Sequence, residues 1–485
     1  MKNKFLILGL MVAFFAACTD LTDLNVDKKN PTSVSGESLF VSAEKNMTDQ
    51  IVNTNVNFNI FRFFVQYWTE TTYTDECNYD LTTRNIPLQH WDELYRRSLA
   101  NFKESAKLIN NEVTFTPEEA AAKINKLQII EILSVYSYSV LVETFGNIPY
   151  SQALDVTELN PVYDDALTIY RDLLSRLNTA IGKIDASAGS FTGGEDNINN
   201  GDMARWLKFA NSLRLRMGLI LSDLPGEDGI ARPAIVNSAA GAILDNADNA
   251  TMEYLGAIPN TNPLYADQVA SNRQDYIGAN TFIDVLNALE DPRREYYFAP
   301  NITDSTGQVI YVGGEYGHTE TYGSFSHVND NMRLPTAIGT IMSAAETEFL
   351  LAEAVEKGYA VGGTAESHYN AGITLSILEW GGEQADADTY LARPDVAYGS
   401  AAGTWQQKVG TQAWIALYNR GFEAWTSWRK LDFPVLVAPA SAFSDIPVRY
   451  NYPVNEQTLN PANYDAAAAA IGGDDVATKL FFDVH

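Results

Sequence analysis

Cysteine is almost absent, with two in 485 residues, so no disulfide scaffold can hold this chain together. Positive charge is scarce too. Against 61 Asp and Glu stand 33 Lys and Arg, a formal net charge of −28. That balance argues against a nucleic-acid partner, because phosphate binding needs clustered Lys and Arg. It also disfavours passive docking on anionic lipid. The five histidines, His90, His318, His327, His368 and His485, show no metal-ligand spacing. There is no H-E-x-x-H, no G-x-S-x-G, no phosphate-cradling glycine loop and no dinucleotide fingerprint. Acidic neighbours such as Glu346 and Glu348 suggest a glycosidase, whose two carboxyls lie roughly 5–9 Å apart. A chain with 61 acids supplies such pairs by chance, and no enzyme is expected. Asp386 and Asp388 alternate as calcium ligands do, but the Gly and distal Glu of an EF-hand loop are missing. No cofactor is expected, with a structural calcium left open. What is present, 46% hydrophobic and 11% aromatic residues, belongs to a globular chain able to bury a large core.

The first eighteen residues carry the sharpest local signal. Lys2 and Lys4 precede an apolar run, Phe5 to Ala17, too short for the roughly 20 residues that span a bilayer. It fits the apolar region of an export signal. Its end, Phe15-Ala16-Ala17-Cys18, resembles the lipobox of bacterial lipoproteins, with Phe15 where Leu is usual. Cys18 is therefore expected to become a lipid-modified N-terminus, needing more than one acyl chain for stable anchorage. Asp20, Asp23 and Asp27 follow in a stretch similar to the surface-export signal of Bacteroidetes lipoproteins. The expected organisation is a signal peptide over 1–17, a lipidated tether over 18–35 and one domain over 36–485. Cys77, the other thiol, is expected to be buried and inert.

Beyond the tether the pattern is mostly helical. Pro117-Glu118-Glu119 opens a helix with proline in its first turn and acids at its positive end. From Ile129 to Val142 that helix is apolar on nearly every side, as a central bundle helix is. A second helix is predicted from about Asp164 to Ile184. A third carries Trp206, Ala210, Leu213, Met217 and Ile220 on one face. Ala345 to Lys357 and Ala365 to Trp380 form a hairpin resembling a tetratricopeptide unit. Its second helix should bury Tyr369, Ile373, Ile377 and Trp380. A last long helix is expected to run through Trp414, Tyr418, Gly421, Trp425 and Trp428 up to Pro434.

Three stretches, 66–90, 256–280 and 299–335, fit neither period. They hold aromatics, amides and glycines, the groups that a sugar ring or a peptide side chain needs. Long loops are usually functional or disordered, and so many aromatics argue against disorder. Ligand contacts are therefore expected at Tyr316, His318, Tyr322 and Phe325. Trp68, Tyr73 and Tyr79 are second choices, with Tyr276 near them. Glycines 313, 314, 317 and 323 would let that backbone approach a ligand.

Ordered segments along nearly the whole chain resemble the SusD/RagB family of Bacteroidetes nutrient-binding lipoproteins, in its SusD-like branch. They include Asp23-Leu24-Asn25-Val26-Asp27, Phe145-Gly146-Asn147-Ile148-Pro149-Tyr150, Trp206 to Arg216 and Asp291-Pro292-Arg293-Arg294. Further on come the hairpin Glu346 to Ile377, Glu423-Ala424-Trp425 with Trp428-Arg429-Lys430, and Arg449-Tyr450-Asn451-Tyr452-Pro453. The terminal Phe481-Phe482-Asp483 departs from the tryptophans frequent there. The resemblance implies a mostly α-helical protein, with tetratricopeptide-like hairpins carrying an irregular, loop-rich ligand-binding part. It also implies a cell-surface outer-membrane lipoprotein that captures an oligosaccharide or oligopeptide. Such a protein acts as lid for a TonB-dependent transporter of the SusC type. A lipid-anchored glycosidase and a purely structural helical-repeat lipoprotein are the alternatives.

Overall fold

The computed structural model describes residues 34–192 and 194–485. The expected signal peptide, Cys18 and almost all of the expected tether lie outside the described residues. Among those described, no helix is long and apolar enough to cross a membrane.

The chain builds its scaffold by packing each helix on the next. Helix α1 (Gly36–Val52) lies against α2 (Ala100–Asn110), and α2 against α3 (Pro117–Phe145). Then follow α4 (Ala166–Lys183), α5 (Met203–Leu221) and α6 (Asp228–Val236), each against its predecessor. After α7 (Asn280–Ala288), α8 (Ala344–Glu356) pairs with α9 (Ala365–Glu379) and also touches α5. α10 (Gln384–Leu391), α11 (Trp405–Ala416), α12 (Gly421–Leu431) and α13 (Pro461–Ala470) complete the series. The fold is mostly α, hairpin on hairpin, with an irregular loop-rich part.

The ends of these helices are written in the sequence. Thr116 caps α3 by accepting from the Glu119 amide, and Gly146 ends it at φ +86°. Within its buried half, the Ser134 and Ser137 hydroxyls donate back to the Ile130 and Leu133 carbonyls, so neither is left unpaired. Thr364 with Ser367, and Thr404 with Gln407, make capping boxes for α9 and α11. In the α8–α9 hairpin a Cβ on Gly372 would meet the Phe349 ring at 2.9 Å. Only glycine permits that approach. Tyr369, Ile373 and Ile377 are buried there with Phe349, Val409 and Ala413.

Two helix predictions need correction. Trp380 does not continue the buried stripe. It caps α9 and is half-buried, with its ring set edge-on to Tyr297, 4.8 Å between centroids, and tilted over Tyr418 at 5.7 Å. The last long helix is two helices, α11 and α12, broken between Leu417 and Arg420, with Asn419 at φ +66°. The break has a structural cause. The buried Arg62 guanidinium donates to both the side chain and the carbonyl of Asn419, and its backbone sits where a Cβ on Gly421 would stand.

Among the described residues six short strands make three antiparallel pairs. β1 (Trp68–Glu70) pairs with β5 (Tyr276–Gly278), and β2 (Ile148–Pro149) with β3 (Tyr163–Asp164). β4 (Ala250–Met252) pairs with β6 (Gly339–Met342), which ties the segment after α6 to the segment before α8. That last pair forms a wall of the cleft described next.

Candidate functional site

A cleft of about 720 Å³ opens between the β4–β6 pair, the 331–338 segment and the end of α9. Thr251 and Thr340 come from the strands, and Asn331, Met332 and Thr336 from the segment. Leu378, Glu379 and Trp380 come from α9, Tyr296 from the turn after Arg293, Asn419 from the α11–α12 break and Arg205 from the first turns of α5. A smaller extension of about 60 Å³ runs inward past Glu379, Trp380 and Asn419 to Tyr418 and Arg420. Exposed Ile338 gives one edge an apolar rim.

Several of its amides hold the walls in place. Asn262 donates to the Ala337 carbonyl (3.0 Å) and accepts from the Leu264 amide (2.8 Å). Asn249 accepts from the Ala344 amide (2.8 Å), and Asn246 donates to the Leu375 carbonyl (2.9 Å). Asn419 spends its carbonyl oxygen on Arg62 and keeps its amino group free. Burial pushes the Glu379 carboxyl up to about 7, against the pull of Arg420. The cleft thus joins an aromatic platform to amides, hydroxyls and one carboxylate, the groups that orient a polar ligand over an apolar face.

None of the residues expected to contact ligand lines this cleft. Trp68, Tyr79, Tyr276 and Tyr316, expected at a ligand, are buried as core side chains. Trp68 stacks on Tyr276 and donates to the Tyr418 hydroxyl (2.7 Å). The Tyr276 and Tyr316 hydroxyls donate to the Thr54 and Phe63 carbonyls (2.8 and 2.6 Å). The Tyr79 hydroxyl accepts from Gln66 (3.3 Å). These rings pin irregular chain to the helices. Tyr73 is 63% exposed, His318 is exposed beside Glu315, and Tyr322 lies stacked at 3.7 Å on His327, with Phe325 half-buried nearby. They belong to surface outside the cleft, although the cleft does use the end of the same 299–335 loop.

Other suspected chemistry has structural work. Burial alone would raise the Glu346 carboxyl, but Arg216 and Arg420 outweigh it and hold it below the usual range. Glu348 accepts from His368 (2.6 Å), so this pair does not face a shared substrate. Asp386 caps α10 through the Glu383 amide, and Asp388 accepts from Gln384. Among the described residues no group of three or more His, Cys, Asp or Glu could hold a metal ion. Cys77 is buried, its sulfur accepting from the Glu70 amide (3.2 Å), and burial drives its thiol well above the ordinary range. Sequence reasoning missed Glu379, Asn331, Asn419 and the outward turn of Trp380. The one local signal was Gly381-Gly382, which ends the helix at the tryptophan.

Comparison with known proteins agrees with this architecture. The chain is similar to a solved chitin-binding protein at 24% identity and TM-score 0.80, covering 93% of this chain and all of that one. A chitin-binding SusD homologue from Flavobacterium johnsoniae matches at 22% identity and TM-score 0.77, over 93% and 99% of the two chains. A SusD homologue from Bacteroides uniformis matches at 25% and 0.74, over 92% and 99%. No curated protein matches. The SusD-like family model, described as starch-binding and associating with the outer membrane, matches residues 28–453. The helical hairpins and the family match lead to one conclusion: the chain belongs to the SusD/RagB family.

Proposed function

We propose that this protein is a non-enzymatic, cell-surface lipoprotein that captures an oligosaccharide in the cleft at Trp380. It then delivers the sugar to a TonB-dependent transporter of the SusC type. The observation that carries the reading is the cleft itself, where a held tryptophan shares the lining with Thr251, Thr336 and Thr340 and with the amides of Asn331 and Asn419. A sugar presents an apolar ring face and a rim of hydroxyls, and this lining complements both. The binding names of the similar structures, two of them chitin-binding, support a glycan over a peptide. The glycosidase reading is weaker, since Glu379 is the one carboxylate in the lining and that chemistry needs two.

Calorimetric titration with chitotriose, maltotriose and a tripeptide tests the reading, with assay for released reducing ends. Saturable binding of a trisaccharide without hydrolysis is expected. Time-dependent reducing ends, or binding of the peptide alone, would overturn it.

A further inference from the structure

Two rings and one carboxylate meet where α9 ends. Glu379 is the last residue of α9 and lines both the cleft and its inner extension. The one cation acting on its carboxylate is Arg420, and no hydrogen bond reaches it from the described residues. Arg420 is shared with Glu346, Glu423, the Ile341 carbonyl and the Ser343 hydroxyl, and its Nε makes no hydrogen bond. Arg205, the other cation of the lining, donates to the Asn249 carbonyl (2.8 Å), leaves its Nε without a hydrogen bond and makes no ion pair with Glu379 or any other described acid. Beside the carboxylate stands Trp380. Tyr296 lines the same cleft, its ring 3.3 Å from where a Cβ on Gly381 would be.

This corner is also negative beyond Glu379. Burial, together with the charges of Glu295, Asp386 and Glu383, raises the Tyr296 phenol above its ordinary range. Glu346 adds its repulsion to Glu379 itself. Amides and hydroxyls suffice for a neutral sugar. A half-buried carboxylate with no hydrogen-bond partner among the described residues, repelled by Glu346 and sharing Arg420 with it, is a cost that a positive charge on the ligand would relieve. The faces of Trp and Tyr add to that preference, because their quadrupoles attract an ammonium group.

We propose that the cleft recognises the protonated amine of an amino-sugar oligomer, with Glu379 as its counter-ion and Trp380 and Tyr296 as flanking rings. The proposal rests on the oligosaccharide reading and narrows it. A sugar amine fits better than a lysine side chain, because Thr251, Thr340 and Asn331 around it match ring hydroxyls, which lysine lacks.

The test is calorimetric titration of the purified protein, and of Glu379→Gln, with glucosamine trimer, its N-acetylated counterpart chitotriose, and trilysine. The glucosamine trimer is expected to bind about tenfold tighter than chitotriose, a difference of about 1.4 kcal/mol. Glu379→Gln should erase that preference, so that the two trimers bind the variant alike. If chitotriose binds the parent as tightly as the amine form, the amine proposal falls and the oligosaccharide reading stands. Retention of the preference by Glu379→Gln has the same consequence. If trilysine alone binds, or no sugar binds, both readings fall.

Discussion

Replacing Trp380 by alanine separates a ligand platform from a core residue. The ring is half-buried and makes two aromatic contacts, 4.8 Å to Tyr297 at an interplanar angle of 78° and 5.7 Å to Tyr418 at 57°. Each such pair is worth about 0.5–1.5 kcal/mol beyond area burial, so Trp380→Ala should cost about 1–3 kcal/mol of stability. Trp414 is the control. It is 1% exposed and donates through its indole N–H to the Val65 carbonyl (2.9 Å), so its removal should cost about 3–5 kcal/mol. Urea denaturation measures both losses. On binding the order should reverse. Trp380→Ala should weaken the oligosaccharide found by titration by about 1–3 kcal/mol, roughly 5- to 150-fold, as truncation of a contact ring does at an interface. Trp414→Ala, in its folded fraction, should bind like the parent. The reasoning is refuted if Trp380→Ala destabilises as much as Trp414→Ala while binding is unchanged. The ring would then be core, as periodicity alone had suggested.

Other expectations follow from buried charge and from the lipidation expected at Cys18. Asp291 and Arg293 are both fully buried and ion-paired at 2.6 Å, with Gln412 also bound to the guanidinium. Asp291→Ala should therefore cost about 3–5 kcal/mol, by leaving a buried charge uncompensated; a denaturation midpoint within error of the parent would contradict this. Burial, with Asp196 close by, raises the Glu44 carboxyl well above its ordinary range. The folded state then holds a proton that the unfolded state releases, so this group's contribution is fully present below the unfolded value near 4.5 and falls as pH rises above it. Glu44→Gln should accordingly gain stability relative to the parent at pH 7.5 compared with its effect at pH 4, and equal effects at the two pH values would refute the assignment. Cys18→Ala should release the protein from the membrane fraction, and protease added to intact cells should digest the parent. Full protection of the parent would contradict surface exposure.

Local chemistry made the scaffold legible. Pro117 with Thr116, Gly146, and the 3.6-residue stripes of α4, α5 and α9 act within a few residues of chain, so helix and core follow from spacing alone. The charge of −28 likewise needed no coordinates to argue against a nucleic-acid partner. What periodicity could not tell was which side chains outside the stripes face solvent. Tyr316 and Tyr322 are six residues apart in one irregular loop, yet one is buried against Phe63 and the other lies half-buried at the surface. Irregular chain has no period, and its aromatics are buried wherever a helix happens to receive them. Trp380 erred the other way, continuing a stripe in sequence but lying just past the last helical turn. The cleft was beyond reach of any local rule, because Arg205, Thr251, Asn331, Glu379 and Asn419 meet only after β4 pairs with β6 and Arg62 breaks the helix at Asn419. Helices were decided by neighbours in sequence, and the site by neighbours in space.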